Sequence, residues 1–148
     1  MRWIKVIIIG VIIFSGCSLS PDGRDVSMDK KTVIFPASGG EAYVHSAEAD
    51  GLIPAGTLSV MFFDKEEGVS KELSVSISGA SSDLVCELGW IKVILKDAAD
   101  KHPDRVEISV RPNDTKERRD ASILLYQWLD SKYSSYATAS IIVEQEAE

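Results

Sequence analysis

Arg105-Val106-Glu107-Ile108-Ser109-Val110-Arg111 sets the fold class, because β-branched residues recur at every second position with charged or small polar residues between them. Successive side chains of a strand point to opposite faces, so Val106, Ile108 and Val110 turn to a core while Arg105, Glu107, Ser109 and Arg111 turn to water. A sheet with one dry face must bury that face against a second layer. The Pro112-Asn113-Asp114-Thr115-Lys116-Glu117 that follows is turn chemistry, since Asn and Asp side chains bond their own backbone and tolerate left-handed conformations. The chain then returns as Ala121-Ser122-Ile123-Leu124-Leu125-Tyr126.

The same period of two continues outward in both directions. Upstream it reads Thr32-Val33-Ile34-Phe35-Pro36, the turn Ala37-Ser38-Gly39-Gly40, Glu41-Ala42-Tyr43-Val44-His45 and the β-rich Thr57-Leu58-Ser59-Val60-Met61-Phe62-Phe63. Leu73-Ser74-Val75-Ser76-Ile77-Ser78 follows, with Leu73, Val75 and Ile77 on one half-buried face, and then Trp90-Ile91-Lys92-Val93-Ile94-Leu95. Downstream, Ala137-Thr138-Ala139-Ser140-Ile141-Ile142-Val143-Glu144-Gln145 closes the series. Almost no stretch has a helical period, and no repeat suggests a solenoid or propeller. About seven to nine short antiparallel strands over residues 31–148, with turns at roughly ten-residue intervals, predict an all-β, two-sheet sandwich.

The N-terminus is of another kind. Met1-Arg2-Trp3-Ile4-Lys5 is positive, Val6 to Phe14 is apolar, and Ser15-Gly16-Cys17 is small, which is the layout of a signal peptide over residues 1–16. The apolar run is too short to span a bilayer, which takes roughly 20 residues. Phe14-Ser15-Gly16-Cys17 resembles the bacterial lipobox, with Phe14 where leucine is usual, and implies that Cys17 carries the lipid; the plainer alternative is a secretory signal with a chance cysteine. Acyl chains hold a protein at a membrane without spanning it. Residues 17–30 hold small and turn residues without hydrophobic periodicity and read as lipid attachment plus a flexible tether. Ser18 directly after the cysteine resembles lipoproteins forwarded to the outer membrane, which makes that the expected location, in either leaflet.

Loss of Arg2 and Lys5 with the signal peptide moves the formal charge from -7 to -9. A chain so acidic has no basic patch for phosphates, which excludes nucleic acid as a partner. With Cys17 lipidated, Cys86 is the one remaining thiol, so no internal disulfide can form; in Leu84-Val85-Cys86-Glu87-Leu88 it reads as a small core hydrophobe.

Several of these stretches resemble one family: the Ig-like domain called BACON (Bacteroidetes-associated carbohydrate-binding often N-terminal), found in Bacteroidetes lipoproteins and glycan-degrading enzymes. The similar pieces are Phe35-Pro36-Ala37-Ser38-Gly39-Gly40, Gly89-Trp90-Ile91-Lys92-Val93, Val106 to Asn113, Arg119-Asp120-Ala121-Ser122-Ile123 and the closing Ile142-Val143-Glu144-Gln145. Departures are the missing tryptophan at Ala47 to Leu52, a longer 53–88 and an expanded Leu125 to Tyr136. The resemblance implies an Ig-like β-sandwich and a role in binding carbohydrate or mucin.

Sugar recognition needs flat aromatic faces for C–H groups and polar groups for hydroxyls. Tyr126-Gln127-Trp128-Leu129-Asp130 with Tyr133 and Tyr136 is the best local supply, and alternation puts Tyr126 and Trp128 opposite the inward Ile123 and Leu125. Trp128, Tyr133 and Tyr136 are therefore the candidate carbohydrate contacts. The plainer alternative has Trp128 packed on a neighbouring loop and the tyrosines as strand-end aromatics. Trp90 reads as core. Asp97, Asp100, His102 and Asp104 share a loop but lack the glycine and distal glutamate of a calcium loop, so a solvated acidic loop is expected and no metal. Asn113-Asp114-Thr115 is a sequon explained by its turn. No nucleophile elbow, zinc motif or phosphate loop is present, so neither enzyme activity nor cofactor is expected. The expected function is a non-enzymatic cell-surface module contacting glycan or mucin; the alternative is a structural or assembly protein whose edge strands pair with a protein partner.

Overall fold

A computed structural model describes residues 21–48, 53–77, 82–99 and 103–148. Among them ten strands form and no helix: β1 (Asp22–Asp25), β2 (Thr32–Phe35), β3 (Gly40–His45), β4 (Thr57–Asp64), β5 (Val69–Ser76), β6 (Leu84–Leu88), β7 (Ile91–Leu95), β8 (Arg105–Val110), β9 (Arg119–Trp128) and β10 (Ser135–Gln145). One sheet runs β1-β10-β9-β4-β5, with β2 also beside β10, and the other runs β3-β8-β7-β6. Consecutive strands cross between the sheets four times, so the architecture is an Ig-like β-sandwich. The stretch around Ile108 is β8, which alternates as its sequence requires and pairs with β3 and β7.

The core lies between the sheets. Leu58, Val60, Ile123, Leu125, Ile141 and Val143 enter it from the first sheet, and Val44, Val93, Leu95, Val106 and Ile108 from the second, all essentially fully buried. Each such side chain contributes roughly 1.5–3 kcal/mol relative to exposure. Cys86 is buried among them, and burial pushes its thiol above the ordinary value.

The domain starts earlier than residue 31, where periodicity places it. Asp22–Asp25, expected as tether, is a strand parallel to β10, with Asp22 opposite Ser135 and Asp25 opposite Thr138. Val26 and Met28 then drop into the core, and Met28 bridges Ser46 at the end of β3. The sequence hides β1 because all four of its residues are exposed. Its pairing rests on backbone bonds, which leave no hydrophobic pattern. This strand, with β2 split from it along the same edge of β10, raises the count to ten and makes two pairings parallel. The signal peptide, Cys17 and residues 18–20 lie outside the described residues.

β5 also departs from expectation. Leu73, and Ile77 just past its end, are exposed, and Val75 is the β5 residue packed on the core: β5 is the last strand of its sheet, and β6 of the opposing layer, whose Cys86 Sγ donates to the Leu73 carbonyl at 3.5 Å, lies against it without burying Leu73.

Opposite the start of β10, the residues that carry the family resemblance converge. Gln145 is fully buried; its Nε2 donates to the carbonyls of Pro36 (3.2 Å), Ala37 (3.3 Å) and Arg111 (2.8 Å), and its Oε1 accepts from Arg119 Nε at 2.8 Å. The Arg119 guanidinium lies 4.6 Å from the centre of the Trp90 ring, itself 9% exposed and packed on Phe62. Asn113 is buried too, donating through Nδ2 to the carbonyls of Glu117 and Glu146, both at 2.9 Å. Gly39 turns beneath this knot with φ of 80°, and a Cβ there would meet the Val110 carbonyl at 2.5 Å. These residues hold three chain segments together.

Candidate functional site

The β9–β10 hairpin sets Trp128 opposite Tyr136 and Tyr126 opposite Thr138. Since Leu125, Ala137 and Ala139 turn inward, Tyr126, Trp128 and Tyr136 project from the outer face of the first sheet, near the hairpin turn. Tyr126 and Tyr136 stack with ring centres 5.3 Å apart. Trp128 stands edge-to-face with Tyr126 at 5.4 Å, with Tyr136 at 5.7 Å and with Tyr133 at 5.3 Å. These are the preferred aromatic geometries, worth ~0.5–1.5 kcal/mol per pair beyond buried area. The three residues expected to meet a sugar thus come together, joined by Tyr126.

Two supports underneath are not visible as motifs. Asp130 holds the hairpin loop: its Oδ1 accepts from the Lys132 and Ser134 amides at 2.8 and 3.0 Å, and its Oδ2 from the Ser134 and Ser135 hydroxyls at 2.8 and 2.6 Å. Those bonds, that from Ser135 foremost, hold its carboxyl well below the usual carboxylate range. The loop so fixed carries Tyr133 at a φ of 55° and turns its ring onto Trp128. The second support is Gly23 of β1, opposite Tyr136, where a Cβ would lie 2.5 Å from the tyrosine's Cζ. Only a glycine lets the ring lie there. Packing has one electrostatic effect, since desolvation, with Tyr136 adding to it, keeps the Tyr126 phenol above its ordinary value.

Hydroxyl pairs border the rings. Thr138 Oγ1 donates to Asp25 Oδ1 at 2.6 Å, while Thr57 and Ser76 meet at 3.0 Å and Ser59 and Ser74 at 2.6 Å. No outward position on the strands of this sheet is Lys or Arg; its charges are Asp25, Glu72, Asp120 and Glu144. The other sheet's outer face is charge-laced, with Arg105 and Lys96 on Glu107 and Arg111 and Lys92 on Glu87. Two shallow depressions open on that second face, the larger about 330 Å³ and lined in part by Trp90, Lys92 and Arg111. Neither includes the aromatic cluster, which is a raised surface.

Chemically, the cluster offers ring faces and hydroxyls. Trp128 is 37% exposed and Tyr133 64%, while Gln127 turns away and accepts from the Ala55 amide at 3.3 Å. Both Asp130 oxygens are committed to the loop. No group of three or more potential metal ligands occurs among the described residues. Of the acidic loop, Asp97 donates its amide to Asp83 at 2.8 Å; Asp100 and His102 lie outside the described residues.

No family model matches the chain. No curated protein matches it either. Among solved structures it is similar to a protein from Bacteroides thetaiotaomicron, at 18% identity over 90% of this chain and 98% of that one, with a TM-score of 0.48. It is also similar to the ASH/PapD-like domain of human CEP192 (PapD-like domain 7), at 12% identity over 100% of this chain and 94% of that one, with a TM-score of 0.36. Neither likeness bears on function.

Proposed function

We propose that the chain is a non-enzymatic, lipid-anchored surface module of the BACON kind, held at the outer membrane through Cys17, that contacts carbohydrate or mucin. The observation that carries the reading is the gathering of Tyr126, Trp128, Tyr133 and Tyr136 into one partly exposed cluster bordered by serine and threonine hydroxyls. Exposed ring faces suit the C–H side of a sugar, and hydroxyls suit its polar rim. Affinity gels and glycan arrays with the chain from residue 18 onward test it. A polysaccharide should retard the protein, and Trp128→Ala should weaken binding about tenfold, the equivalent of one lost ring contact of ~1.4 kcal/mol. No binding to any polysaccharide, or unchanged binding in the variant, sinks the reading.

One observation favours a second reading, an assembly protein. β5 is eight residues long and ends its sheet with Val69 and Leu73 exposed, and its lysine, Lys71, is folded onto Asp64 (2.7 Å) and Glu67 (3.0 Å) rather than guarding the edge. A stoichiometric partner recovered with the anchored protein and lost on Leu73→Lys would support it; a monomer without partner would oppose it.

A further inference from the structure

β1 fixes where the anchor enters. Asp22 pairs with Ser135, the first residue of β10, directly after the hairpin loop that carries Leu129 and Tyr133. Cys17 precedes Asp22 by five residues, and five residues reach at most about 18 Å. The eleven residues of β10 span about 36 Å, at ~3.3 Å each. A lipid on Cys17 is therefore tied to the end of the sandwich that holds the aromatic hairpin, and the end that holds Gln145 and Trp90 is out of its reach.

We infer that, with Cys17 acylated, the hairpin end of the sandwich rests on the membrane, and that Leu129 and Tyr133, with the edge of Trp128 against them, seat at the boundary between the phospholipid headgroups and the upper acyl carbons. The inference rests on the lipid anchoring proposed above. Leu129 is 53% exposed and Tyr133 64%, at the tip of a loop that bears no other large apolar side chain. Tyrosine and tryptophan favour the membrane–water boundary because an apolar ring and a polar tip are satisfied there together. The loop presents them ready-made: Asp130 locks the backbone that aims Tyr133, so little order has to be gained on contact. The loop's one acid has both oxygens turned back onto its own amides and hydroxyls, and its one cation, Lys132, is exposed beside Tyr133. Its contact chemistry thus suits a phospholipid surface. Seated this way, Tyr126, Tyr136 and the hydroxyl rows stand side-on above the headgroups, where a sugar can still reach them, whereas Tyr133 passes from the sugar site to the membrane.

The two tryptophans of the mature chain make a built-in ruler, because Trp128 lies at the hairpin end and Trp90 at the opposite one. The full chain, purified with its acyl groups, is reconstituted into phosphatidylcholine–phosphatidylethanolamine vesicles with and without bromine on the upper acyl carbons, which quenches tryptophan on contact. Bromolipid should lower the emission by about a third or more, Trp128→Phe should abolish that loss, and Leu129→Ser with Tyr133→Ser should reduce it while the protein still floats with the vesicles. Unchanged emission in protein that floats overturns the inference and leaves the anchor standing. Quenching that survives Trp128→Phe overturns it too, by placing Trp90 at the membrane. A Trp128 signal that responds to polysaccharide and not to bromolipid gives the whole cluster to sugar, and a chain that does not float refutes anchor and orientation together.

Discussion

Gln145→Met would remove one of the two buried polar side chains of the described residues, the other being Asn113, while nearly conserving its volume. Gln145 shares four contacts, three donated from Nε2 and one accepted from Arg119. An amide carries two hydrogens, so one of them is shared and about three bonds are lost, at a net ~1 kcal/mol each. The penalty for orphaned carbonyls does not add to this, since each keeps another donor: Gly39 N on Pro36 (3.0 Å), Asn113 N on Ala37 (2.7 Å) and Arg119 Nη2 on Arg111 (2.9 Å). Better burial of the thioether returns part of the loss, which leaves a destabilisation of about 2–3 kcal/mol. For a domain of this size that lowers Tm by roughly 8–12 °C. Urea unfolding followed by fluorescence gives the free energy directly, and Trp90, beneath Arg119, reports the far end of the sandwich locally. A loss under about 1 kcal/mol at an unchanged m-value would refute the reasoning, because the bonds would then be exchanged for water at no cost.

Gly23→Ala should drive the Tyr136 ring off its stack with Tyr126 without deleting a ring; near-UV circular dichroism should lose the cluster's signal, at a cost of about 1 kcal/mol after the gain from a stiffer unfolded chain, and an intact signal refutes the packing. Asp130 has its folded pKa depressed, so its support is complete above the unfolded value near 4 and is lost only as pH falls toward the much lower folded one. The near-UV signal of Trp128 and Tyr133 should therefore persist at pH 3 in the native protein and be weakened at every pH in Asp130→Asn; a collapse between pH 5 and 4 in the native protein contradicts this. Cys86, with its thiol raised by burial, should react with alkylating reagents at pH 8 only as fast as the domain opens, and Cys86→Ser should cost about 1–3 kcal/mol; modification within seconds in the folded protein would place the thiol at the surface.

The sequence is legible where burial enforces a period. β8 alternates in its sequence as in its burial, so its inward face can be assigned from the pattern alone, and β9 and β10 follow the same period through their middles although Leu124 and Ile142 interrupt it with exposed apolar side chains. It is opaque where pairing rests on backbone alone: Asp22-Gly23-Arg24-Asp25 has no buried side chain, yet it is a strand and forms the floor for Tyr136. Leu73 and Ile77 mislead in the opposite sense, since a half-buried pattern also fits an edge strand that its partner layer covers only in part. At the candidate site, the outward placing of Trp128 follows from the inward Ile123 and Leu125, but its ring partners depend on a register and a loop conformation that period two does not encode. Asp130 with Ser134 and Ser135 was the available signal for that loop, because an aspartate ahead of hydroxyls and free amides is turn chemistry.

The two ends of the sandwich divide the roles. Pro36, Trp90, Asn113, Arg119 and Gln145 lie at one end and spend their polar atoms on one another and on local carbonyls. The aromatic hairpin lies at the other end, in the Leu125 to Tyr136 segment. Residues free of a closing role can change without loss of the fold, which is why binding surfaces sit on such segments. Substitutions at Gln145 should thus move stability and leave the exposed ring surface alone, whereas substitutions at Trp128 and Tyr133 should change that surface together with the ring pairs they make.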